Sequence, residues 1–101
     1  MFKLTDIFEK NNSIPWRLIE GQTILVDQNE GEVFRLTPVG TAIWEGLDGK
    51  RTIQEIIAYI HEQFEVEDRK ARRDVLSFLK QLRTQGFVEP KSFGDSEKGI
   101  N

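Results

Sequence analysis

Cysteine is absent from this 101-residue chain. Disulfides, thiolate nucleophiles and thiolate metal sites go with it. A short chain without cysteine suits a reducing compartment, so a cytoplasmic location is expected. Histidine occurs once, as His61, and a lone helical histidine reads as a surface or packing residue. Ser13, Ser77, Ser92 and Ser96 lie in no strand-to-helix nucleophile turn. No glycine-rich phosphate loop follows a strand. Long apolar runs are missing too, and nothing approaches the roughly 18 apolar residues of a membrane span. The start, Met1 to Glu9, has no continuous apolar stretch of the secretory kind. Excess positive charge is also lacking. The formal net charge is −3 and the sequence pI is near 5.2, whereas a generic nucleic-acid binder is basic. These absences leave no catalytic centre, cofactor, metal or membrane to expect, and they weigh against nucleic acid as a partner unless a local basic stripe provides for it.

What is present is a soluble globular composition, 38% hydrophobic and 31% charged. The length fits one domain with a modest core. Residues 1–14 read as an N-terminal arm. Phe2, Leu4, Ile7 and Phe8 give it a short apolar face, which suits either loose docking or a partner contact. Residues 15–90 read as the domain, and residues 91–101 as a polar, disordered tail.

From Trp16 the pattern is β-like. Trp16–Ile19, Gln22–Asp27 and Glu32–Leu36 are short strand candidates, with turn chemistry at Gln28-Asn29-Glu30-Gly31. In the third of them Val33 and Arg35 face one way, Phe34 and Leu36 the other. At Thr37-Pro38 the period changes to that of a helix, with Thr37 as N-cap and Pro38 in the first helical position. Asp48-Gly49 stops this helix. Thr52-Ile53-Gln54-Glu55 is a capping box that opens a second, striped by Ile53, Ile56, Ile57, Ile60 and Phe64. Asp68 can cap a third helix running to about Gln85, with Gly86 as its stop. The order β-β-β-α-α-α predicts an α+β, winged-helix-like fold, a three-stranded antiparallel sheet followed by three helices.

On a wheel, Ala71, Val75, Phe78, Leu79 and Leu82 form the core face of the third helix. Arg69, Arg72, Arg73, Lys80 and Arg83 cluster in a separate sector with Leu76 at its centre. This is either a solvated charged face with one stray leucine, or a shallow groove rimmed by cations. Such a groove would suit an acidic, partly apolar peptide, and equally a phosphate backbone apart from the leucine at its centre.

Three segments in order carry a resemblance to a known family: Gly31-Glu32-Val33-Phe34-Arg35-Leu36-Thr37-Pro38-Val39-Gly40-Thr41-Ala42-Ile43-Trp44-Glu45-Gly46-Leu47-Asp48-Gly49, then Arg51 to Ile57, then Asp74 to Val88. Residues 16–89 resemble the PqqD family. That resemblance implies a recognition element for ribosomally made, post-translationally modified peptides. Such an element holds the leader segment of a precursor and presents its core to a maturation enzyme, such as a radical SAM enzyme, a leader peptidase or a cyclase. It implies that the leader adds as a further strand beside the third one, toward the third helix. The expected contacts are Val33, Phe34, Arg35 and Leu36 by strand addition, with Arg69, Arg72, Arg73, Leu76, Lys80 and Arg83 from the helix. The competing class is a winged-helix DNA-binding protein, supported by the same basic residues and opposed by the acidic total and the unbasic hairpin tip.

Overall fold

In the computed structural model, which describes residues 2–91, the chain runs β1 (Ile7–Lys10), β2 (Trp16–Ile19), β3 (Gln22–Asp27), β4 (Glu32–Arg35), α1 (Pro38–Gly46), β5 (Asp48–Thr52), α2 (Ile53–Gln63), α3 (Asp68–Thr84) and β6 (Val88–Pro90). The expected meander is one antiparallel sheet of order β2-β3-β4. Gly31 turns its hairpin at φ 70°, a value that glycine adopts without a Cβ penalty. The caps form as well. The Thr37 hydroxyl accepts from the Gly40 amide at 3.0 Å. Thr52 and Glu55 make the reciprocal capping box. Only the start of α3 differs, because Glu67 occupies the N-cap position without a side-chain bond.

A second sheet, of order β5-β1-β6, was not foreseen from sequence. The segment expected to lie as an arm supplies its middle strand. Phe8 is buried, and Phe8, Glu9 and Lys10 stand opposite Pro90, Glu89 and Val88 in antiparallel register. An isolated four-residue strand could not hold itself. Pairing on both sides satisfies its backbone groups, and that requirement overrides its weak local signal. The tail expected at residues 91–101 falls, from residue 92 onward, outside the described residues.

The core lies between the β2-β3-β4 sheet and the three helices. Trp44 and Leu25 are fully buried at its centre, together with Ile43, Leu47, Ile53, Ile60, Val75 and Leu79. Apolar burial of this kind stabilises by roughly 25 cal/mol per Å², and it orients the sheet so that β4 runs past α3.

Candidate functional site

Among the described residues β3 is the only neighbour of β4 in the sheet, so β4 is an edge strand there. Its register on β3 sets Ile24 opposite Arg35, Leu25 opposite Phe34, Val26 opposite Val33 and Asp27 opposite Glu32. The Leu36 amide donates to the Thr23 carbonyl at 2.8 Å. In an antiparallel ladder, bonded and non-bonded pairs alternate. Phe34 therefore bonds inward to Leu25, while Val33 and Arg35 turn their N–H and C=O groups away from the sheet. The opposite side of β3 agrees. There the Val26 amide donates to the Pro15 carbonyl at 3.0 Å, so residues of β3 serve β2 and β4 in turn. The free edge of β4 thus offers the donors and acceptors of Val33 and Arg35 to an incoming strand.

Beside that edge, along α3, lie two cavities that share Leu36, Phe78 and Gln81 in their lining and are treated as two lobes of one cleft. The first, about 450 Å³, has an apolar floor of Leu25, Phe34, Leu36, Phe78 and Leu82, with Lys80, Gln81, Thr84 and Gln85 from α3 at its side. The second, about 460 Å³, continues past Leu36 and Phe78 to Val39, Ile43 and Val66, with Lys70, Asp74 and Ser77 above it. The Phe34 ring is braced edge-on by buried Phe87 at 5.7 Å between centroids. Gly40 lies in this wall, where a Cβ would stand a tight 3.3 Å from the Thr37 Oγ1 and in ordinary contact with the Leu36 Cβ and the Phe78 ring at 3.4 and 3.6 Å.

The structure brings together Val33, Phe34, Arg35, Leu36 and Lys80 from the set expected at the site. Leu36 is buried, Phe34 half-buried, and Val33 65% exposed. Arg35 is exposed, with its Nη1 donating to Gln22 Oε1 at 3.1 Å. The rest of the basic stripe lies elsewhere. Arg69, Arg72, Arg73, Leu76 and Arg83 line neither lobe. Arg83 reaches over the Phe8 ring at 5.9 Å, Arg73 lies 4.0 Å from Asp74, and Leu76 is half-buried against the core. Of that stripe, Lys80 alone borders the cleft. Of the basic flank Arg83 alone reaches the N-terminal strand, and the mixed polar flank borders the cleft through Lys70, Asp74, Ser77, Gln81 and Gln85. Sequence reasoning passed over Phe78, assigning it wholly to the core, and over Lys70, Asp74, Ser77, Gln81 and Gln85. A helical wheel finds the buried sector, but it does not say which polar sector lies beside the sheet edge.

Below the sheet, Lys10 ties the two halves together. Its Nζ donates to the Leu47 carbonyl at 3.1 Å and lies 5.3 Å from the Trp44 ring centroid and 5.9 Å from that of Trp16. Burial pulls its pKa below the usual lysine value, against the opposing pull of Asp48 and Glu45. His61 has a structural contact, its Nδ1 donating to the Val66 carbonyl at 2.6 Å where α2 gives way to α3. Among the described residues no group of acidic or histidine side chains could hold a metal ion, and no helix is long and apolar enough to cross a membrane.

The sequence profile of coenzyme PQQ synthesis protein D, PqqD, matches residues 22–88. The chain belongs to the PqqD family. The PqqD match spans β3, β4 and all three helices, which are the elements that build the edge and the cleft. No curated protein matches the sequence. Among solved structures, TbiB1 in complex with the TbiA(beta) leader peptide is 25% identical, with a TM-score of 0.71 over 80% of this chain and 94% of that one. A lasso peptide synthetase B1 complexed with its leader peptide is 22% identical, with a TM-score of 0.71 over 82% of this chain and 98% of that one. This second likeness shows that the PqqD-family fold is shared.

Proposed function

We propose that this chain binds the leader segment of a ribosomally made precursor peptide and presents it to a peptide-maturation enzyme. The binding is non-catalytic, and the leader joins the sheet as a strand along β4. The supporting observation is the open edge of Val33 and Arg35, set beside an apolar cleft, in a PqqD-family chain. The resemblance to TbiB1, which was solved with a leader peptide, supports the same reading. Strand addition draws its affinity from backbone pairing and its selectivity from alternate side chains. The cleft supplies receptors for every second residue, and the edge supplies the backbone partners. In this reading the edge and the cleft carry the binding, and of the basic residues Arg35 and Lys80 lie beside them.

Amide chemical-shift mapping tests this. The isotope-labelled chain is titrated with synthetic leader peptides able to lie as an extended strand. The amides of Val33 and Arg35 should shift most and become protected from exchange. Shifts confined to α1 or to β1, with β4 silent, would overturn strand addition.

A further inference from the structure

The hydrogen-bond phase of β4 fixes more than the location of a ligand strand. It also fixes which ligand residues face which surroundings. We infer that the chain selects leaders carrying the tetrapeptide pattern apolar–acidic–apolar–β-branched, read from N to C, with the acidic residue held by Arg35. This inference rests on the strand-addition reading and adds the chemistry of the peptide to it.

The derivation starts from Val33 and Arg35, whose backbone groups point outward. A strand added antiparallel, the more stable arrangement per residue, bonds to these two. Ligand residues opposite Val33 and Arg35 put their side chains on the outer face of the sheet, as Val33 and Arg35 do. Ligand residues opposite Phe34 and Leu36 put theirs on the cleft face, about 6.8 Å apart. The residue opposite Phe34 meets the lobe floored by Leu25, Phe34 and Leu82, and the residue opposite Leu36 meets the lobe that runs on to Val39 and Ile43. Both floors are apolar, and both positions call for apolar side chains.

The outer face differs at its two positions. Arg35 is exposed, and its one hydrogen bond among the described residues goes to the neutral side chain of Gln22. Among the described residues no carboxylate lies within ion-pair distance of it. A carboxylate on the residue directly opposite completes a cross-strand ion pair. Val33, exposed and standing opposite half-buried Val26, instead offers an apolar shelf. A β-branched residue on a pleated surface packs well against it. In antiparallel order, the positions opposite Leu36, Arg35, Phe34 and Val33 then read apolar, acidic, apolar and β-branched.

The test is peptide display. The immobilised full chain, its Arg35→Glu variant and its Val33→Pro variant each select from random dodecapeptides. The wild-type chain should enrich the pattern, with Asp or Glu between the two apolar residues. Arg35→Glu should switch that one position to Lys or Arg and leave its neighbours unchanged. Val33→Pro should enrich nothing. Fluorescence polarisation on synthetic peptides carrying Leu-Glu-Leu-Val or Leu-Lys-Leu-Val should show the same exchange, each partner preferring its opposite by about tenfold. Enrichment that Val33→Pro abolishes, but whose middle position ignores Arg35→Glu, would overturn this inference and leave strand addition standing. Enrichment that survives Val33→Pro, or none on any chain, would overturn both.

Discussion

Adjacent residues of β4 should respond oppositely to proline. At Phe34 the inward N–H bonds Leu25, which is fully buried. Proline there leaves the Leu25 carbonyl unpaired in the core, a cost of roughly 1–3 kcal/mol. It also removes the half-buried ring that leans on Phe87, for about another 2 kcal/mol from lost apolar burial and the aromatic pair. The total, about 4 kcal/mol, is a large part of the 5–15 kcal/mol typical of a domain, and corresponds to a melting temperature lower by roughly 20 °C. At Val33 the N–H points to solvent, and the side chain is already exposed. Proline is tolerated at such positions of edge strands, and the expected cost is about 1 kcal/mol or less. Ligand binding reverses the ranking. A peptide carbonyl that loses the Val33 donor should weaken binding by roughly ten- to a hundredfold. Urea denaturation of both variants, with peptide titration of Val33→Pro, supplies the numbers. Hydrogen exchange of the unmodified chain gives an independent check, with fast exchange at Val33 and Arg35 and slow exchange at Phe34 and Leu36. Equal destabilisation by the two prolines, or slow exchange at Val33, would refute the assigned bonding phase.

Other consequences follow from the same geometry. Charge reversal at Arg72 should leave peptide affinity within about twofold, whereas Phe78→Ala should weaken it by about tenfold or more; polarisation titrations of both distinguish the two flanks of α3. Leu76→Asp should destabilise the fold by about 2 kcal/mol, because a charge would replace a side chain packed on the core, and urea midpoints report this directly. Thr52→Ala removes the capping box of α2 and should cost about 1 kcal/mol by the same assay. Lys10 gives a pH signature. Its folded pKa is lowered by burial, so the unfolded chain keeps the proton to higher pH. Stability should therefore rise with pH between the lowered folded value and the ordinary value of about 10.4, and a Lys10→Met variant should lose that rise in alkaline denaturation curves.

The fold was legible wherever local chemistry and global packing agreed. Alternation marked β4, β-branched residues marked β3, and Thr37 and Thr52 marked helix starts that their side chains do cap. The second sheet was illegible because its strands carry little signal of their own. β5 reads Asp-Gly-Lys-Arg-Thr, a turn by composition. It becomes a strand because β1 lies beside it, with Ile7 opposite Thr52 and Glu9 opposite Asp48. Half of the site was legible for a similar reason. The edge could be read from the strand, but the cleft depends on the roll of α3 about its axis. Leu76 drew attention to one flank, while Phe78, placed in the core by its spacing, marks the flank that faces β4.

The placement of β1 bears on how the chain is made. Among the described strands β1, at residues 7–10, leaves the ribosome before the others and β6, at residues 88–90, after them. Between those two moments the core helices can pack, but one side of β1 has no partner. Closing β1 onto β6 is a contact of long sequence separation, and such contacts form late. The peptide edge on β4, by contrast, needs only β3, its neighbour in sequence. A nascent chain would therefore display its ligand-accepting strand before its own second sheet is complete.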